Sequence, residues 1–536
     1  MAEGYTLNQA VHAKRLSGGK VIFLDQHSAE DLQFVREAYG YEALERGWFR
    51  EGNRLFCFNG ALSNESAQQK LQDESPPGVL EVPPPPLPEG PLTRELFTME
   101  DGTTVRWIRH PGVLPASSQP YWRHHTALFE IKRKDPSFAA YTSIMSFASL
   151  EGADGKLRIF GPGGIRWIDY PSEAAAISDA LDMSLAVAMK IQVVGTPNGG
   201  NKIAVFGDKR HKAAALRSIF AAFERLGFIV TSADLGLSLK DLERHALPVA
   251  PTSVVPLGVY QNGIPSAVVT ADASYAGLEA MAEALPGSPA LSTLTVSLQG
   301  CGEVGYRLAQ HLLENGTMVK IAEPCKETCS TLQLECRQAF ASGQAEFIKD
   351  PDAIYDIAAD IFCPCALRDI LTRGTLERLL RAGVRIIGGP ANNLFPNQTD
   401  GPWLFHEAGL PVVPYEGIGA GGVTGVAYSV MTGVFGRCPF AISEKIQMIR
   451  DYVARILRWS KRYDLPPQVI SDRLLFRSTL RRRVLNQMQT DHIIERLRRA
   501  FQSGNHLHEQ ALVQEYTKKG LFYGEGRFQE GGWKFL

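Results

Sequence analysis

Apolar and polar residues alternate along this chain with two different periods. Near the start, the pattern predicts a strand over residues 20–24 and an amphipathic helix over 29–39. From about residue 105 to 255, short strand-like runs mix with helical ones. The clearest helix covers 173–190, where apolar residues recur every three or four positions. This mixture indicates an α/β domain.

From about residue 290 the pattern changes to short apolar strands that alternate strictly with helices. We expect a strand over 294–298, a helix over 304–315 and a second strand over 318–322. Such alternation is typical of a parallel, doubly wound sheet. After residue 440 no strand is predicted, and long helical stretches follow.

We therefore predict an α/β fold of four segments. Residues 1–90 form an N-terminal extension that ends in a proline-rich linker, because prolines at 76–88 fix an extended backbone. An α/β domain should span 91–255, and a Rossmann-type doubly wound domain 256–435. Residues 436–536 should form C-terminal helices and a tail that pack back on the first of these domains.

Composition excludes several classes of protein. The 536 residues are 44% hydrophobic and 21% charged, as in folded globular proteins, and 56 basic against 57 acidic side chains leave a net charge of −1. A polyanion such as nucleic acid is thus a poor partner. No apolar run is long enough for a membrane span, so we expect a cytoplasmic protein without a membrane partner. The eight cysteines do not repeat a Cys-x-x-Cys spacing, so we expect no metal site.

A glycine-rich turn follows the predicted strand at 294–298. Gly300 permits a tight turn, Gly302 lets the backbone approach a pyrophosphate at the helix N-terminus, and Gly305 lets helix and strand pack closely. Glu323 ends the next strand, where a carboxylate accepts hydrogen bonds from ribose hydroxyls and repels a 2′-phosphate. These residues predict a cofactor site for NAD rather than NADP. A turn that serves packing alone is the alternative.

Two lysines and one aspartate are candidates for proton chemistry. Lys190 ends an apolar helical run, where it could equally be a solvated charge at the helix C-terminus. Lys202 lies between a Gly-Gly turn and an apolar strand, where burial would lower its pKa. Asp234 follows a predicted strand, at the functional edge of an α/β sheet. A turn-capping role for Asp234 stays open.

The order of motifs resembles the amino acid dehydrogenases of the glutamate, leucine, phenylalanine and valine family. Nine motifs fall in the family's order over about residues 105–480: Gly163-Gly164-Ile-Arg166, Met189-Lys190, Gly199-Gly200-Asn201-Lys202, Ser232-Ala233-Asp234, Val269-Thr270-Ala271, Gly300-x-Gly302, Pro364-Cys365-Ala366-Leu367, Ala391-Asn392-Asn393 and Ala420-Gly421-Gly422-Val423. The leucine and phenylalanine enzymes are the most similar.

The resemblance implies that 91–255 is the substrate-binding domain, that 256–435 is the NAD-binding Rossmann domain, and that each matching residue has a role. Lys190 would bind the substrate α-carboxylate, near Gly163 and Gly164, while Lys202 and Asp234 would transfer protons. Three further residues would contact the cofactor, and these are Thr270, Ala366 and Asn392. The reaction implied is hydride transfer from the substrate Cα to the nicotinamide, followed by attack of water on the imine.

Departures from the family pattern bear on the substrate. Pro162 stands where glutamate dehydrogenases carry a side-chain-binding lysine, and Val423 and Val426 match positions that line an apolar pocket in leucine-type enzymes. The family's asparagines are replaced by Gly419 and Gly425, which could widen that pocket. Asn201 replaces the third glycine of the usual Gly-Gly-Gly-Lys.

These observations predict NAD-dependent, reversible oxidative deamination of an apolar or aromatic L-amino acid. The partner is a small-molecule substrate, and the enzyme is expected to be a homo-oligomer. The alternative is a catalytically weakened NAD-binding protein with a regulatory or assembly role, suggested by Gly419 and Gly425. An opine-like or hydroxy acid dehydrogenase would explain the glycine-rich turn but not the paired lysines.

Overall fold

The structure is a computed structural model of the whole chain. It describes residues 20–52, 54–58, 61, 93–108, 127–145, 148–151, 157–195, 200–226, 229–250, 265–435, 438, 440–484, 528–529 and 532–533. The predicted proline-rich linker, Gly199 and most of the C-terminal tail lie outside these residues.

Strands and helices are numbered in chain order. The strands are β1 Lys20–Leu24, β2 Trp48–Glu51, β3 Arg54–Phe58, β4 Thr93–Thr98, β5 Thr104–Ile108, β6 Ala127–Lys134, β7 Ser137–Ile144, β8 Ala148–Glu151, β9 Leu157–Arg166, β10 Asn201–Gly207, β11 Ile229–Ala233, β12 Thr295–Gln299, β13 Met318–Ala322, β14 Ala345–Phe347, β15 Ile361–Pro364, β16 Ile386–Ile387, β17 Phe528–Gln529 and β18 Gly532–Trp533. The helices are α1 Ala29–Ala38, α2 Tyr41–Arg46, α3 Glu173–Val194, α4 Lys212–Leu226, α5 Leu239–His245, α6 Ser266–Ala284, α7 Glu303–Glu314, α8 Lys326–Glu335, α9 Arg337–Ala341, α10 Arg373–Arg381, α11 Gly401–Glu407, α12 Tyr415–Ile418, α13 Gly421–Phe435, α14 Ile442–Tyr463 and α15 Pro467–Val484. This confirms the predicted α/β class.

The chain forms two compact units. Unit one takes its described residues from Met1–Pro83, Gly277–Tyr415 and Asp451–Arg477, and unit two takes its own from the rest of the chain. The structure thus groups the chain differently from the four predicted segments, because described residues of Met1–Pro83 and Asp451–Arg477 lie in the unit that contains the glycine-rich turn. The four sequence-based borders themselves stay predictions.

Unit one contains the predicted doubly wound sheet. Its five strands are all parallel, in the order β14-β13-β12-β15-β16. The strand, helix and strand predicted over 294–322 are confirmed as β12, α7 and β13, within one residue at each end. The helix α7 is capped at Asn315, and Gly316 follows with a left-handed φ of +84°.

The N-terminal segment is also part of unit one. Its three strands lie in the order β1-β3-β2, and the helix α1 and the strand β3 pack against α14. The Phe34 ring stacks on Tyr463 with centroids 3.8 Å apart, and the Tyr463 hydroxyl donates to buried Asp31 over 2.9 Å. Arg54 adds an ion pair with Asp464 at 3.0 Å. Apolar and charged contacts therefore join the N-terminal segment to the end of α14.

Unit two is built on a mixed sheet. The strand order is β11-β9-β10-β7-β6-β5-β4, with β8 paired to β9. β9, β10 and β11 run parallel, whereas β10, β7, β6, β5 and β4 pair antiparallel. The long helix α3 packs on β7 and β10 and buries Ala180 against Tyr141 and Ala204.

The end of α3 corrects one reading of Lys190. The helix runs on to Val194 and ends at Gly195, whose φ of +59° is left-handed. Ile191, Val193 and Val194 are buried and continue the apolar stripe, so Lys190 lies inside the helix rather than at its solvated end. Across the described part of the chain, no helix is long and apolar enough to cross a membrane.

Candidate active site

The candidate catalytic residues meet where three neighbouring strands of unit two lie side by side, near the carboxyl end of β9, at the start of β10 and just past the end of β11. In the sheet register, Lys202 on β10 and Ser232 on β11 both lie opposite Gly164 on β9. Asp234 immediately follows β11. Because side chains alternate between faces, Lys202, Ser232 and Asp234 share one face of the sheet.

Lys202 and Asp234 form a direct ion pair. The Lys202 ammonium contacts Asp234 Oδ2, and the Arg166 Nε donates to the same oxygen over 3.1 Å. Lys202 is only 8% exposed, whereas the Asp234 side chain keeps 25% of its surface open. Asp234 is therefore a charge partner of two cations, and its carboxylate also accepts a hydrogen bond from the Leu235 amide in the turn that follows.

Burial and charge set the ionisation of this pair. Burial alone would raise the pKa of Asp234, but the positive charges of Lys202 and Arg166 hold it well below the usual value. The pKa of Lys202 is lowered by burial first, against the opposing charge of Asp234, and Arg166 lowers it further. A lysine with a lowered pKa beside a carboxylate can transfer protons.

Two glycines make room for this pair. A Cβ atom on Gly164 would lie 3.1 Å from Lys202 Nζ and 2.9 Å from the Asp234 Cβ. A Cβ atom on Gly163 would collide with the backbone and side chain of Asn201. Both glycines of the motif are thus required by close packing across β9 and its neighbours.

Lys190 lies near Glu416, which the sequence analysis did not single out. Lys190 is half-buried on α3, and Glu416 is only 3% exposed. Burial lowers the pKa of Lys190 to about 8, although the negative charge of Glu416 opposes that shift. The signal that could have identified Glu416 is an acid just before the Ala-Gly-Gly-Val motif.

Asp179 is a second acid near the pair of Lys202 and Asp234 that was not predicted from the sequence. Asp179 on α3 is buried and accepts two hydrogen bonds from Arg166 Nη1, each 3.0 Å long. The Tyr170 hydroxyl donates to Asp179 Oδ2 over 2.7 Å. An aspartate inside an apolar helical run was the available signal, because such a charge is rarely buried without a partner.

The helix α13 carries the predicted pocket residues. Val423 and Val426 are both half-buried on it. Gly425 does not widen a pocket as expected, because a Cβ there would lie 3.0 Å from Ser266 Cα and 3.2 Å from Val269 Cγ2. Its missing side chain lets α13 approach α6. Thr270, also on α6, has its Oγ1 3.2 Å from the Cβ position of Gly422.

The glycine-rich turn of unit one has the expected geometry. Gly300 has a φ of +92°, and a Cβ on it would lie 2.5 Å from the Ala366 Cβ. A Cβ on Gly305 would collide with the Gly300 carbonyl oxygen. Gly302 begins α7 without a side-chain cap, and nothing lies within 4 Å of its Cβ position. Open space therefore adjoins the helix N-terminus.

Glu323 is hydrogen-bonded to the backbone of this turn. Its carboxylate accepts hydrogen bonds from the Cys301 amide over 2.6 Å and from the Cys325 amide over 2.8 Å. Asn392 is half-buried beside Asn393, whose side chain accepts a bond from the Tyr415 hydroxyl over 2.9 Å.

The predicted site residues divide between the two units. Unit two contains Gly163, Gly164, Lys190, Lys202, Asp234, Thr270, Val423 and Val426, and unit one contains Gly300, Gly302, Gly305, Glu323, Ala366 and Asn392. Direct contacts join Gly164, Lys202 and Asp234 in unit two, and close packing joins Gly300 to Gly305 and Ala366 in unit one.

Known proteins with similar sequences are amino acid dehydrogenases. The model of the glutamate/leucine/phenylalanine/valine dehydrogenase family matches residues 325–437. Leucine dehydrogenase of Thermoactinomyces intermedius is 32% identical over 321 residues, which are 58% of this chain and 81% of that protein. Valine dehydrogenase of Streptomyces albus is 30% identical, with 58% of this chain and 83% of that protein covered.

Solved structures agree with the fold. The L-tryptophan dehydrogenase of Nostoc punctiforme superposes with a TM-score of 0.51 at 24% identity, covering 67% of this chain and 96% of that one. The two-domain Rossmann architecture is thus shared. The chain belongs to the glutamate, leucine, phenylalanine and valine dehydrogenase family, whose members are nicotinamide-dependent oxidoreductases that act on a CH–NH2 group.

Proposed function

We propose that this protein catalyses the NAD-dependent oxidative deamination of an apolar or aromatic L-amino acid to the 2-oxo acid and ammonia. The observation that carries the proposal is the ion pair between buried Lys202, at the start of β10, and Asp234, just past the end of β11. Burial that lowers the pKa of a lysine is what proton transfer near neutral pH requires. The named dehydrogenases among its relatives do not favour the alternative, a catalytically weakened binding protein.

Each charged group has a distinct role in the proposed reaction. Lys190, positive below a pKa of about 8, binds the substrate α-carboxylate. Lys202 in its neutral form takes a proton from the water that attacks the imine, and its ammonium form stabilises the oxyanion of the carbinolamine. Asp234, ionised beside two cations, takes up a proton from the substrate ammonium before the hydride leaves and passes that proton to the carbinolamine nitrogen, which departs as ammonia.

The residues around the glycine-rich turn fit a dinucleotide. The uncapped N-terminus of α7 and the open space at Gly302 suit a pyrophosphate, which binds backbone amides at a helix N-terminus. Glu323 lies next to that turn, and its negative charge favours the free ribose hydroxyls of NAD over the phosphate of NADP. The chemistry that a bound nicotinamide supplies is acceptance of a hydride.

The surroundings of the site favour an uncharged side chain on the substrate. Pro162 on β9 supplies no cation, and Val423 and Val426 offer apolar surface. A carboxylate buried against such groups would lose its hydration without gaining a partner, at a cost of several kcal/mol. An apolar side chain would instead gain about 25 cal/mol for each Å² of surface removed from water.

The decisive experiment measures NADH formation with leucine, valine, phenylalanine, tyrosine, tryptophan and glutamate, using NAD and NADP in parallel. We expect a member of the apolar or aromatic group to have the highest kcat/KM, and NAD to be preferred. Glutamate as the best substrate would contradict the assignment of Pro162, and a preference for NADP would contradict that of Glu323. The absence of turnover with every amino acid would contradict the proposed activity itself.

Two further expectations accompany this function. A homo-oligomer is expected because the family resemblance implies one, and a cytoplasmic location follows from the composition. Both stay predictions. Analytical ultracentrifugation of the purified protein tests the first directly.

A further inference from the structure

Arg166 is a buried cation to which the reaction as described assigns no step. It ends β9 directly opposite Asp234 and is only 4% exposed. Its Nε donates to Asp234 Oδ2 over 3.1 Å, while its Nη1 donates to both oxygens of Asp179. The guanidinium thus bridges the proposed catalytic carboxylate and a second carboxylate on α3.

The fork of a guanidinium explains why arginine serves this position. A planar group with donors in fixed directions can hold two carboxylates at once, whereas a lysine is a single mobile charge. Asp179 is itself fixed, because the Tyr170 hydroxyl donates to it over 2.7 Å. Asp179 on α3 therefore fixes the guanidinium of Arg166, and the Nε of that guanidinium binds Asp234 after β11.

We propose that Arg166, clamped by Asp179, is a positioning residue that keeps Asp234 ionised and aimed at Lys202. This inference deepens the proposed function, on which it rests. Arg166 does not touch the reacting atoms and acts through Asp234.

The sign of the effect on Lys202 follows from charge. Arg166 is a positive neighbour, so it disfavours the protonated form of Lys202, and its removal should raise the pKa of that lysine. Asp179 is a negative neighbour that favours the protonated form, so its neutralisation should lower the same pKa. The two substitutions are thus expected to act in opposite directions, which damage to packing alone would not produce.

Ionisable groups from every surrounding element contribute to the balance at Lys202 and Asp234. These groups are Arg166 on β9, Tyr170 in the loop after it, Asp179 and Lys190 on α3, and Glu416 beside Lys190. Among the ion pairs of the described residues, Arg166 shares Asp234 Oδ2 with Lys202. Its charge therefore dominates among the positioning groups.

The test compares Arg166→Gln, Arg166→Lys, Asp179→Asn and the double variant Arg166→Gln with Asp179→Asn. The double variant removes both buried charges, so it stays available if the single Arg166→Gln protein is too unstable. Two readouts are taken for each variant. One is the pH dependence of kcat/KM on the best amino acid, and the other is the midpoint pH of Lys202 acetylation by trace acetic anhydride, followed by mass spectrometry.

We expect Arg166→Gln to shift the labelling midpoint of Lys202 and the rising limb of kcat/KM upward by about one pH unit or more. Asp179→Asn should shift both downward. The double variant should keep a smaller upward shift, since Arg166 acts on Lys202 more strongly than Asp179 does. Arg166→Lys should keep the midpoint near that of the unsubstituted protein but lose kcat at least tenfold, because it retains the charge without the fork.

The matched control is Arg133→Gln, which removes an ion pair with Asp101 elsewhere in unit two. This substitution should change neither the labelling midpoint of Lys202 nor the pH dependence of kcat/KM. Unchanged labelling midpoints of Lys202 in Arg166→Gln or in the double variant would overturn the inference. An upward shift in Asp179→Asn, equal to that in Arg166→Gln, would also overturn it. The labelling of Lys202 requires no enzymatic turnover. If the protein is inactive on all amino acids, the proposed function is contradicted, but the labelling midpoints still test the effect of Arg166 on Lys202.

Discussion

The Cβ position of Gly164 lies 2.9 Å from the Cβ of Asp234, so the proposed catalytic residue occupies space that any residue larger than glycine would need. We expect Gly164→Ala to displace Asp234 and to lower kcat/KM at least tenfold, with a loss of about 1–3 kcal/mol in stability from overpacking. Steady-state kinetics and urea unfolding measure the two effects. Gly374→Ala on exposed α10, where the nearest atom to a Cβ is 3.8 Å away, is the control and should leave both unchanged or slightly raise stability. A Gly164→Ala protein with native kinetics would contradict the packing argument.

Lys202→Ala should lower the rate of deamination by about 10²–10⁴-fold, because a general acid–base group is lost. NAD affinity, measured by fluorescence titration, should stay near native, because the glycine-rich turn belongs to the other unit. The matched control is Lys212→Ala, which removes an ion pair with Asp241 in unit two. Retention of most turnover by Lys202→Ala would refute its assignment as a catalytic residue.

The pH dependence of substrate binding should report on Lys190. Its pKa of about 8 means that its positive charge is present below that pH and lost above it, so KM should rise as the pH passes about 8. Glu416 opposes the lowering of this pKa, so Glu416→Gln should start the rise in KM at a lower pH. Glu444→Gln removes an exposed acid paired with Lys445 and should leave the profile unchanged. If KM begins to rise at the same pH in the unsubstituted protein, in Glu416→Gln and in Glu444→Gln, then Glu416 does not affect the pKa of Lys190.

Glu323→Ser should weaken NAD binding by about 10–100-fold, because hydrogen bonds to a charged group contribute roughly 1.5–3 kcal/mol. The ratio of kcat/KM for NADP to that for NAD should rise, since the repulsion of a 2′-phosphate is removed. Glu346→Ser, which breaks an exposed pair with Lys320, should change neither value. An unaltered cofactor ratio in Glu323→Ser would mean that this carboxylate does not select the cofactor.

Phe34→Ala should destabilise unit one by about 3–5 kcal/mol, because a fully buried ring stacked on Tyr463 is removed. Phe23→Ala deletes the same side chain from β1, where it is 47% exposed, and should cost less than about 1 kcal/mol. Chemical denaturation of the full chain measures both. Equal losses would show that the N-terminal segment is not anchored through Phe34.

Local patterns in the sequence were enough to predict the doubly wound unit. The strand β12, the helix α7 and the strand β13 follow from residue periodicity, and the turn at Gly300 needs a conformation that glycine adopts at no steric cost. Lys202 and Asp234 were likewise identified from their positions next to apolar strands. Their neighbours in the chain determine these features, so one sequence reveals them.

Other features were decided only by tertiary structure. Arg166 lies 13 residues from Asp179 and 68 from Asp234, and no local period links the three. Gly425 was expected to open a pocket, yet its role became clear only when α6 was found against it. The attachment of the N-terminal segment to α14 joins residues more than 400 positions apart. Such contacts depend on which surfaces are buried together, and burial is a property of the folded chain rather than of any short stretch of it.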